Sequence, residues 1–155
     1  MDASLAVCIA IPLLLGSLAG YATRGETMGQ WYTSLQKPSW MPPRFVFGPV
    51  WTVLYILMGI AAWRVVKAGG GQHPLALYGL QLGLNVAWSF MFFSAKNLKW
   101  ALLDIIALLG VLVGTTFVFY RVDRVAGYLM IPYVLWVAFA TLLTLNLYLT
   151  NPAPK

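Results

Sequence analysis

The chain alternates between long apolar segments and polar connections. Each apolar segment is about 20 residues or longer, which at 1.5 Å per residue crosses the ~30 Å hydrocarbon layer of a membrane. Membrane-spanning β-strands would be about half as long and would alternate apolar and polar positions. The pattern therefore predicts an all-α integral membrane protein, a single domain over residues 1–155 built as a five-transmembrane-helix bundle. The predicted spans are 3–23, 45–66, 74–94, 100–120 and 125–150.

Composition supports this fold class and narrows the partners. Hydrophobic residues make up 61% of the chain and charged residues only 9%, whereas soluble domains carry roughly 25% charged residues. The net charge of +6 would suggest nucleic acid for a soluble protein. Here the cations are spread over loops and helix ends without a basic run, so we expect contact with the lipid bilayer and no nucleic-acid partner.

The first connection, residues 24–44, is longer than the others. Long loops in compact domains are usually functional or disordered, and the Trp and Pro content of this one argues against disorder. The block from Trp31 to Trp51 reads WYTSLQKPSWMPPRFVFGPVW. Its prolines stiffen the backbone, and its aromatic rings offer flat faces to a ligand. We expect a long Trp/Pro-rich loop between helices 1 and 2 that covers one mouth of the bundle as a rigid lid.

Two predicted helices carry stripes of aromatic and amide side chains. The stripe on the third helix, at i, i+4, i+7 and i+11, consists of Gln81, Asn85, Trp88 and Phe92. The stripe on the fifth helix consists of Tyr133, Trp136, Ala140 and Leu143. Because amides at membrane depth face the bundle interior, these stripes, with Trp51 and Tyr55, predict one aromatic cavity. The alternative is a filled aromatic core held by Asn85; the small Ala140 favours the cavity.

Pairs of glycines four residues apart occur in three of the predicted helices. They are Gly16/Gly20, Gly79/Gly83 and Gly110/Gly114. Small residues at this spacing let helix backbones approach closely. Packing within the bundle explains such pairs without further function. The sharper hypothesis is a homodimer face, for which we select Gly79 and Gly83 on the third helix.

The ionisable residues form no catalytic constellation. The sequence has no Ser-His-acid set, no paired carboxylates and no metal-binding cluster, so an ordinary hydrolase or metalloenzyme is not expected, nor is a metal site or an obligatory cofactor. Asp104 lies within the fourth predicted span, near its start. We expect it to cap that helix or to pair with Lys99 or an arginine.

Four blocks of the chain carry a family resemblance: WYTSLQKPSWMPPRFVFGPVWTVLY, LNVAWSFMFF, WALLD and PYVLWVAFAT. Over nearly its whole length the chain resembles the translocator protein family, also called tryptophan-rich sensory proteins or peripheral benzodiazepine receptors. The resemblance implies a five-helix bundle whose pocket opens toward the long loop. It also implies homodimers and a location in a bacterial membrane or the mitochondrial outer membrane.

The resemblance further implies a receptor, transport or sensory protein that binds tetrapyrroles. Protoporphyrin IX and haem are the expected ligands, with sterols and benzodiazepine-type compounds in some members. The positions that match the family pocket are Tyr32, Trp51, Asn85, Trp136, Ala140 and Leu143, and Trp31, Pro42 and Trp88 stand in matching motif positions. Lys37 and Arg44 are the candidate contacts for the porphyrin propionates, because fixed cations attract carboxylates.

The chain departs from the family near its end. Many members carry Leu-Asn-aromatic after the Trp of the fifth helix, where this chain reads Leu143, Thr144, Leu145. Tyr148 is followed by six residues before Lys155, whereas the proposed sterol motif allows about five. This weakens the expectation of sterol binding more than that of porphyrin binding. The alternative functions are light- or oxygen-dependent porphyrin degradation, sterol or lipid handling, and a structural or partner-regulating role.

Overall fold

The computed structural model describes residues 2–152, and it contains five helices long and apolar enough to cross a membrane. The predicted all-α membrane fold is therefore confirmed. Met1 and residues 153–155 lie outside the described residues, and with them Lys155 of the sterol-motif comparison. The helices are α1 (Ala3–Thr27), α2 (Gln30–Ser34), α3 (Arg44–Lys67), α4 (Gln72–Ser89, followed by a π-helical turn Phe90–Ser94), α5 (Leu98–Val122) and α6 (Arg124–Thr150).

Side-chain caps fix the start of three of the long helices. Each cap accepts a hydrogen bond from a backbone N–H that the helix itself leaves free. The caps are Asp2 for α1, Asn97 for α5 and Asp123 for α6. The main difference from the predicted spans is at the end of α1, which runs on to Thr27 instead of ending at residue 23. The charge at Arg24 ends the apolar segment but not the helix, because a charged side chain at the membrane surface does not interrupt the backbone hydrogen bonds.

The five long helices form a ring in the order α1, α3, α6, α5, α4, in which each packs against the next and α4 closes on α1. The main hydrophobic core lies between α3, α4, α5 and α6, with fully buried side chains such as Met58, Leu112 and Val137. No residue of α1 belongs to that core among the described residues. The first helix therefore completes the ring without contributing to this core, and it leaves much of its surface exposed.

A glycine outside the repeated pairs marks a direct backbone contact between α1 and α3. A methyl group at Gly59 of α3 would lie 2.7 Å from the Cys8 carbonyl oxygen and the Ile9 Cα of α1. The two backbones touch there, and only glycine fits. No spacing motif marks Gly59 in the sequence.

Packing within the bundle is the wrong explanation for most of the glycine pairs. A methyl group at Gly79, Gly83, Gly110 or Gly114 would meet no heavy atom within 4 Å. These four glycines face away from neighbouring helices, on the outer side of the ring. Gly16 does pack inside the bundle, against the ring of Tyr55.

The expected capping or pairing of Asp104 is also wrong. Asn97 caps α5, and Asp104 lies nearly two turns further along, 7% exposed, with its Oδ2 atom lacking a hydrogen-bond partner. None of the ion pairs among residues 2–152 includes it. Its side chain faces the interior of the ring, away from the cations at the helix end.

Asp123, the single residue between α5 and α6, joins three helices. Its carboxylate accepts two hydrogen bonds of 2.9 Å from the Arg64 guanidinium at the end of α3, while it also caps α6 through the Ala126 N–H at 2.8 Å. The Arg64 contact, followed by the Ala126 bond, holds the pKa of Asp123 below its usual value. Bidentate pairs of this kind fix orientation as well as distance.

We expect Asp123→Ala to lower the free energy of unfolding by about 1–2 kcal/mol, chiefly through the lost helix cap. Asp123→Asn keeps a capping oxygen and loses only the charge of a partly exposed pair, so its cost is about 1 kcal/mol or less. Thermal unfolding of the purified protein in detergent at pH 7 measures both. Equal losses in the two variants would contradict the assignment of the cap as the larger contribution.

The same pair makes stability depend on pH. The folded protein binds a proton on Asp123 more weakly than the unfolded chain does, in which Asp titrates near pH 3.9. The contribution of the Arg64–Asp123 pair to the free energy of unfolding is therefore complete above about pH 5. It is lost as pH falls through the lower pKa of the folded state. The difference in melting temperature between the wild type and Asp123→Asn should therefore shrink at the acid end of a pH series, and a constant difference would contradict the ion-pair assignment.

Candidate ligand-binding site

A cavity of about 420 Å³ lies inside the ring beneath the long loop. Four of the long helices and the loop contribute to its lining, whereas no described residue of α5 does. The volume falls within the range of about 300–1,000 Å³ that small-molecule sites occupy. Its walls are mostly apolar, with a few polar groups at fixed points. This cavity is the candidate functional site.

The structure brings most of the predicted site residues to this cavity, with three exceptions. Those that line it are Tyr32, Arg44, Trp51, Asn85, Trp88, Trp136, Ala140 and Leu143. Trp31, Pro42 and Lys37 are not among the lining residues. Trp31 places its ring edge-on to Phe92 at 5.8 Å, behind the cavity wall. Whether the lining residues bind a ligand stays a prediction.

A chain of hydrogen bonds holds α3, α4 and α6 together at the wall of the cavity. The Tyr55 hydroxyl donates to Asn85 Oδ1 at 2.9 Å, and Asn85 Nδ2 donates to the Tyr133 oxygen at 2.8 Å. The Tyr133 hydroxyl then donates to Gln81 Oε1 at 2.9 Å. Asn85 is the centre of this network, because its amide oxygen and nitrogen serve different helices. The cavity and the Asn85-centred core, which the sequence left as alternatives, occur side by side.

Trp51 forms the aromatic wall next to this network. Its ring stacks on Tyr55 at 5.6 Å with 27° between the planes, and it meets Tyr133 edge-on at 6.0 Å. Trp136 stands at 89° to it with ring centroids 6.4 Å apart. Such edge-to-face and offset contacts are the favoured aromatic geometries. The wall is therefore rigid, and it presents flat apolar surface to the cavity.

The π-helical turn at the end of α4 forms part of the wall and had no counterpart in the sequence analysis. The backbone N–H of Ala95 donates to the Phe90 carbonyl at 2.8 Å, five residues earlier. The extra residue in this turn changes the register, so that Phe92 and Phe93 both line the cavity with Trp88. Trp88 and Phe92 stack at 5.0 Å. Turns of this kind often occur at functional sites.

The contribution of α1 was missed as well. Apart from Leu13, its lining residues are small or carry hydroxyl groups: Gly16, Ser17, Gly20, Thr23 and Thr27. The spacing from Gly16 through Gly20 and Thr23 to Thr27, at i, i+4, i+7 and i+11, follows one face of a helix. The signal was therefore present, but only the glycine pair within it was recognised. The small side chains leave the space that the aromatic walls enclose.

Two cations contact Tyr32 at the loop end of the cavity. Arg44 Cζ lies 4.9 Å and Lys37 Nζ 4.6 Å from the centre of its ring, and the Lys37 ammonium also donates to the Tyr32 carbonyl oxygen. Among the described residues, no carboxylate lies within 4.0 Å of either cation. We call Lys37, Arg44 and Tyr32 the cationic mouth.

Burial changes the protonation equilibria of the cationic mouth. It lowers the pKa of the Lys37 ammonium, and the nearby Arg44 charge lowers it further. It raises the pKa of the Tyr32 phenol, while Arg44 acts in the opposite direction. Burial disfavours the charged form of both groups, and repulsion from Arg44 adds to that effect only at Lys37. An anionic group arriving here would supply the missing counter-charge.

Comparison with known proteins gives consistent matches over most of the chain. The model of the TspO/MBR family matches residues 8–149. The Translocator protein of Homo sapiens is 46% identical over 122 residues, which cover 76% of this chain and 71% of the human one. The Tryptophan-rich protein TspO of Chlorobaculum tepidum is 38% identical over 153 residues, 96% of each chain. The Tryptophan-rich sensory protein of Cereibacter sphaeroides is 38% identical over 129 residues, 82% of each chain.

We expect Asn85→Leu to lower the free energy of unfolding by about 1–3 kcal/mol, because it removes the partners of two buried hydroxyl groups. Tyr55 would lose its acceptor and Tyr133 its donor. The matched control is Asn146→Leu, a half-buried amide on α6 outside the network, which should change stability by no more than about 0.5 kcal/mol. Thermal unfolding in detergent compares the two. Similar losses would show that the network is not what holds α3, α4 and α6.

Proposed function

The chain belongs to the TspO/MBR family of membrane proteins, and from that premise we propose that it binds tetrapyrroles in the cavity beneath the long loop. Protoporphyrin IX and haem are the proposed ligands, and binding them serves a receptor, transport or sensory role. The names of relatives, Translocator protein and Tryptophan-rich sensory protein, fit this class of function. Protoporphyrin IX here is a ligand and not a resident cofactor.

The observation that carries the proposal is the combination of an aromatic wall with an unpaired cationic mouth. Trp51 and Trp136 offer flat apolar faces to a planar macrocycle, which stacks well on such rings. Arg44 lines one end of the same cavity, and Lys37 lies outside the lining but against the Tyr32 ring; among the described residues neither cation has a carboxylate partner. A porphyrin has the same division, with an apolar ring system and two carboxylates on one edge. Charge-assisted bonds to these carboxylates would orient it.

Two finer features belong to the same proposal. The exposed pair Gly79 and Gly83 lies on the outer face of α4 with open space beside it, which suits a homodimer face between small residues. If Gly79→Leu left the oligomeric state in nanodiscs unchanged, this face would be excluded.

The host membrane is proposed to be a bacterial membrane or the mitochondrial outer membrane, since relatives come from both bacteria and mammals.

The double variant Trp51→Ala plus Trp136→Ala should weaken protoporphyrin IX binding by about 30-fold or more, given that base–aromatic stacking of comparable type contributes about 1–3 kcal/mol per ring. Titration in nanodiscs, followed by the Soret absorbance of the porphyrin, measures the affinity without relying on tryptophan emission. Trp63→Ala plus Trp100→Ala is the control, because it removes two indoles outside the cavity lining. Equal affinity in both double variants would refute the proposed site.

The cationic mouth provides a second arm of this titration. Lys37→Gln plus Arg44→Gln should weaken protoporphyrin IX by about 3–10-fold, since exposed charge pairs contribute up to about 1 kcal/mol each. The dimethyl ester, which lacks the carboxylates, should bind both proteins equally. Arg24→Gln plus Lys99→Gln removes the same charge elsewhere and serves as control. A loss of affinity for the ester as large as that for the acid would contradict the propionate contacts.

A further inference from the structure

We infer that ligands enter and leave the cavity sideways, from the lipid bilayer, through a gap between α1 and α3. The gap is bordered by Ser17 and Gly20 on α1 and by Gly48 and Thr52 on α3. We call the opening between these four residues the lateral gap. This inference rests on the proposed function, because it concerns the route to the same cavity. It identifies the ligand as one that partitions into the membrane before it binds.

The two helices that border the gap touch at one end and separate at the other. Near the start of α1, the backbones meet at Gly59, where a methyl group would overlap Cys8 and Ile9. Midway, Gly16 still packs on the Tyr55 ring. Toward the loop, a methyl group at Gly20 or Gly48 would meet no heavy atom within 4 Å. The antiparallel pair therefore opens progressively toward the long loop.

The residues of the lateral gap line the cavity and are also exposed. The four residues are all exposed at the surface of the protein. By contrast, lining residues on the opposite wall, such as Asn85, Ala140 and Leu143, are at least nine-tenths buried. The cavity therefore meets the exterior on the α1–α3 side. The Thr52 hydroxyl donates back to the Gly48 carbonyl at 2.9 Å, so its hydrogen bond is already made within α3.

The depth of the gap shows that it faces lipid. At 1.5 Å per residue, Gly20 lies about 10 Å and Ser17 about 15 Å inward from the end of α1 at Thr27. Thr52 lies about 12 Å inward from the start of α3 at Arg44. A hydrocarbon layer of ~30 Å centred on these helices includes all three residues. The opening therefore leads to acyl chains and not to water.

The aqueous side of the cavity is closed by the loop, which is attached to the end of α6. The backbone N–H of Gln36 donates to Asn151 Oδ1 at 2.8 Å, and Asn151 Nδ2 donates to the Gln36 carbonyl at 3.0 Å. Tyr32, carried by α2, is buried and meets Phe93 at 5.7 Å. A ligand arriving from water would have to break these contacts. One arriving through the lateral gap would break none of them.

The position of Arg44 suits a ligand that arrives in this way. It is the first residue of α3, so it lies at the membrane surface on the same side as the lateral gap, and it lines the cavity. An amphiphilic ligand in the bilayer keeps its carboxylates at the surface and its apolar body among the acyl chains. It can slide between α1 and α3 with its acidic edge beside Arg44 throughout.

The inference is tested by substitutions that narrow the lateral gap, followed by measurement of the rates at which the ligand associates and dissociates. Gly20→Leu and Gly48→Leu, tested separately in nanodiscs, should slow both association and dissociation of protoporphyrin IX by about tenfold while the dissociation constant changes less than about threefold. Stopped-flow Soret absorbance gives both rates. Gly110→Leu is the control, because that glycine also has open space but lies on α5, away from the cavity. Asn151→Ala, which loosens the loop, should leave both rates near the wild-type values.

The opposite pattern overturns the inference. If Asn151→Ala accelerates exchange while Gly20→Leu and Gly48→Leu keep wild-type rates, the ligand passes through the loop and not through the lateral gap. If the leucine variants raise only the dissociation rate, they fill the cavity and do not obstruct a route, which also refutes the inference. Failure of the wild type to bind protoporphyrin IX would instead refute the proposed function, so the two failures are distinguishable.

Discussion

The amide of Asn85 is the interaction on which the rest of the site depends. A polar group at membrane depth finds no water for hydrogen bonding, so its partners must come from neighbouring helices. Asn85 finds them in Tyr55 on α3 and Tyr133 on α6, and these bonds fix both phenol rings. Trp51 packs on the same two rings. A single amide therefore sets the orientation of the aromatic wall, and the wall keeps the cavity from collapsing.

The ring of helices is tight on one side and loose on the other, and this asymmetry gives the cavity its shape. Large side chains fill the space among α3, α4, α5 and α6. Apart from Leu13, the first helix instead contributes glycine, serine and threonine to the cavity wall. Helix association in a membrane depends on close packing and not on expulsion of water, so α1 can be held by a short contact at Gly59. Beyond that contact, its small residues leave room that no neighbouring side chain fills.

The fold could be predicted from the sequence because hydropathy and helix length are nearly sufficient in a bilayer. The amide and aromatic stripes could be predicted for the same reason. The polar groups of Asn85 and Trp136 lie at membrane depth, where partners are found only in the interior of the bundle. The π-turn could not, because the run from Phe90 to Ser94 has no local feature that favours five-residue bonds over four-residue ones. Lys37 and Trp31 lie in the connection between α1 and α3, Trp31 on the short helix α2. The path of this connection depends on contacts with Phe92 and the end of α6 that no periodicity encodes.

The distribution of charge connects the site to the membrane. At the end of the ring away from the loop, Asp123 pairs with Arg64 and Asp2 with Lys67. At the loop end, Glu26 forms an ion pair with Lys96. Among the described residues, the cations of the cationic mouth have no carboxylate partner. Closely spaced like charges raise the free energy of the unliganded protein slightly, and an anionic ligand relieves that repulsion. The proposed tetrapyrrole would therefore place its acidic edge beside positive charge that has no carboxylate partner among the described residues.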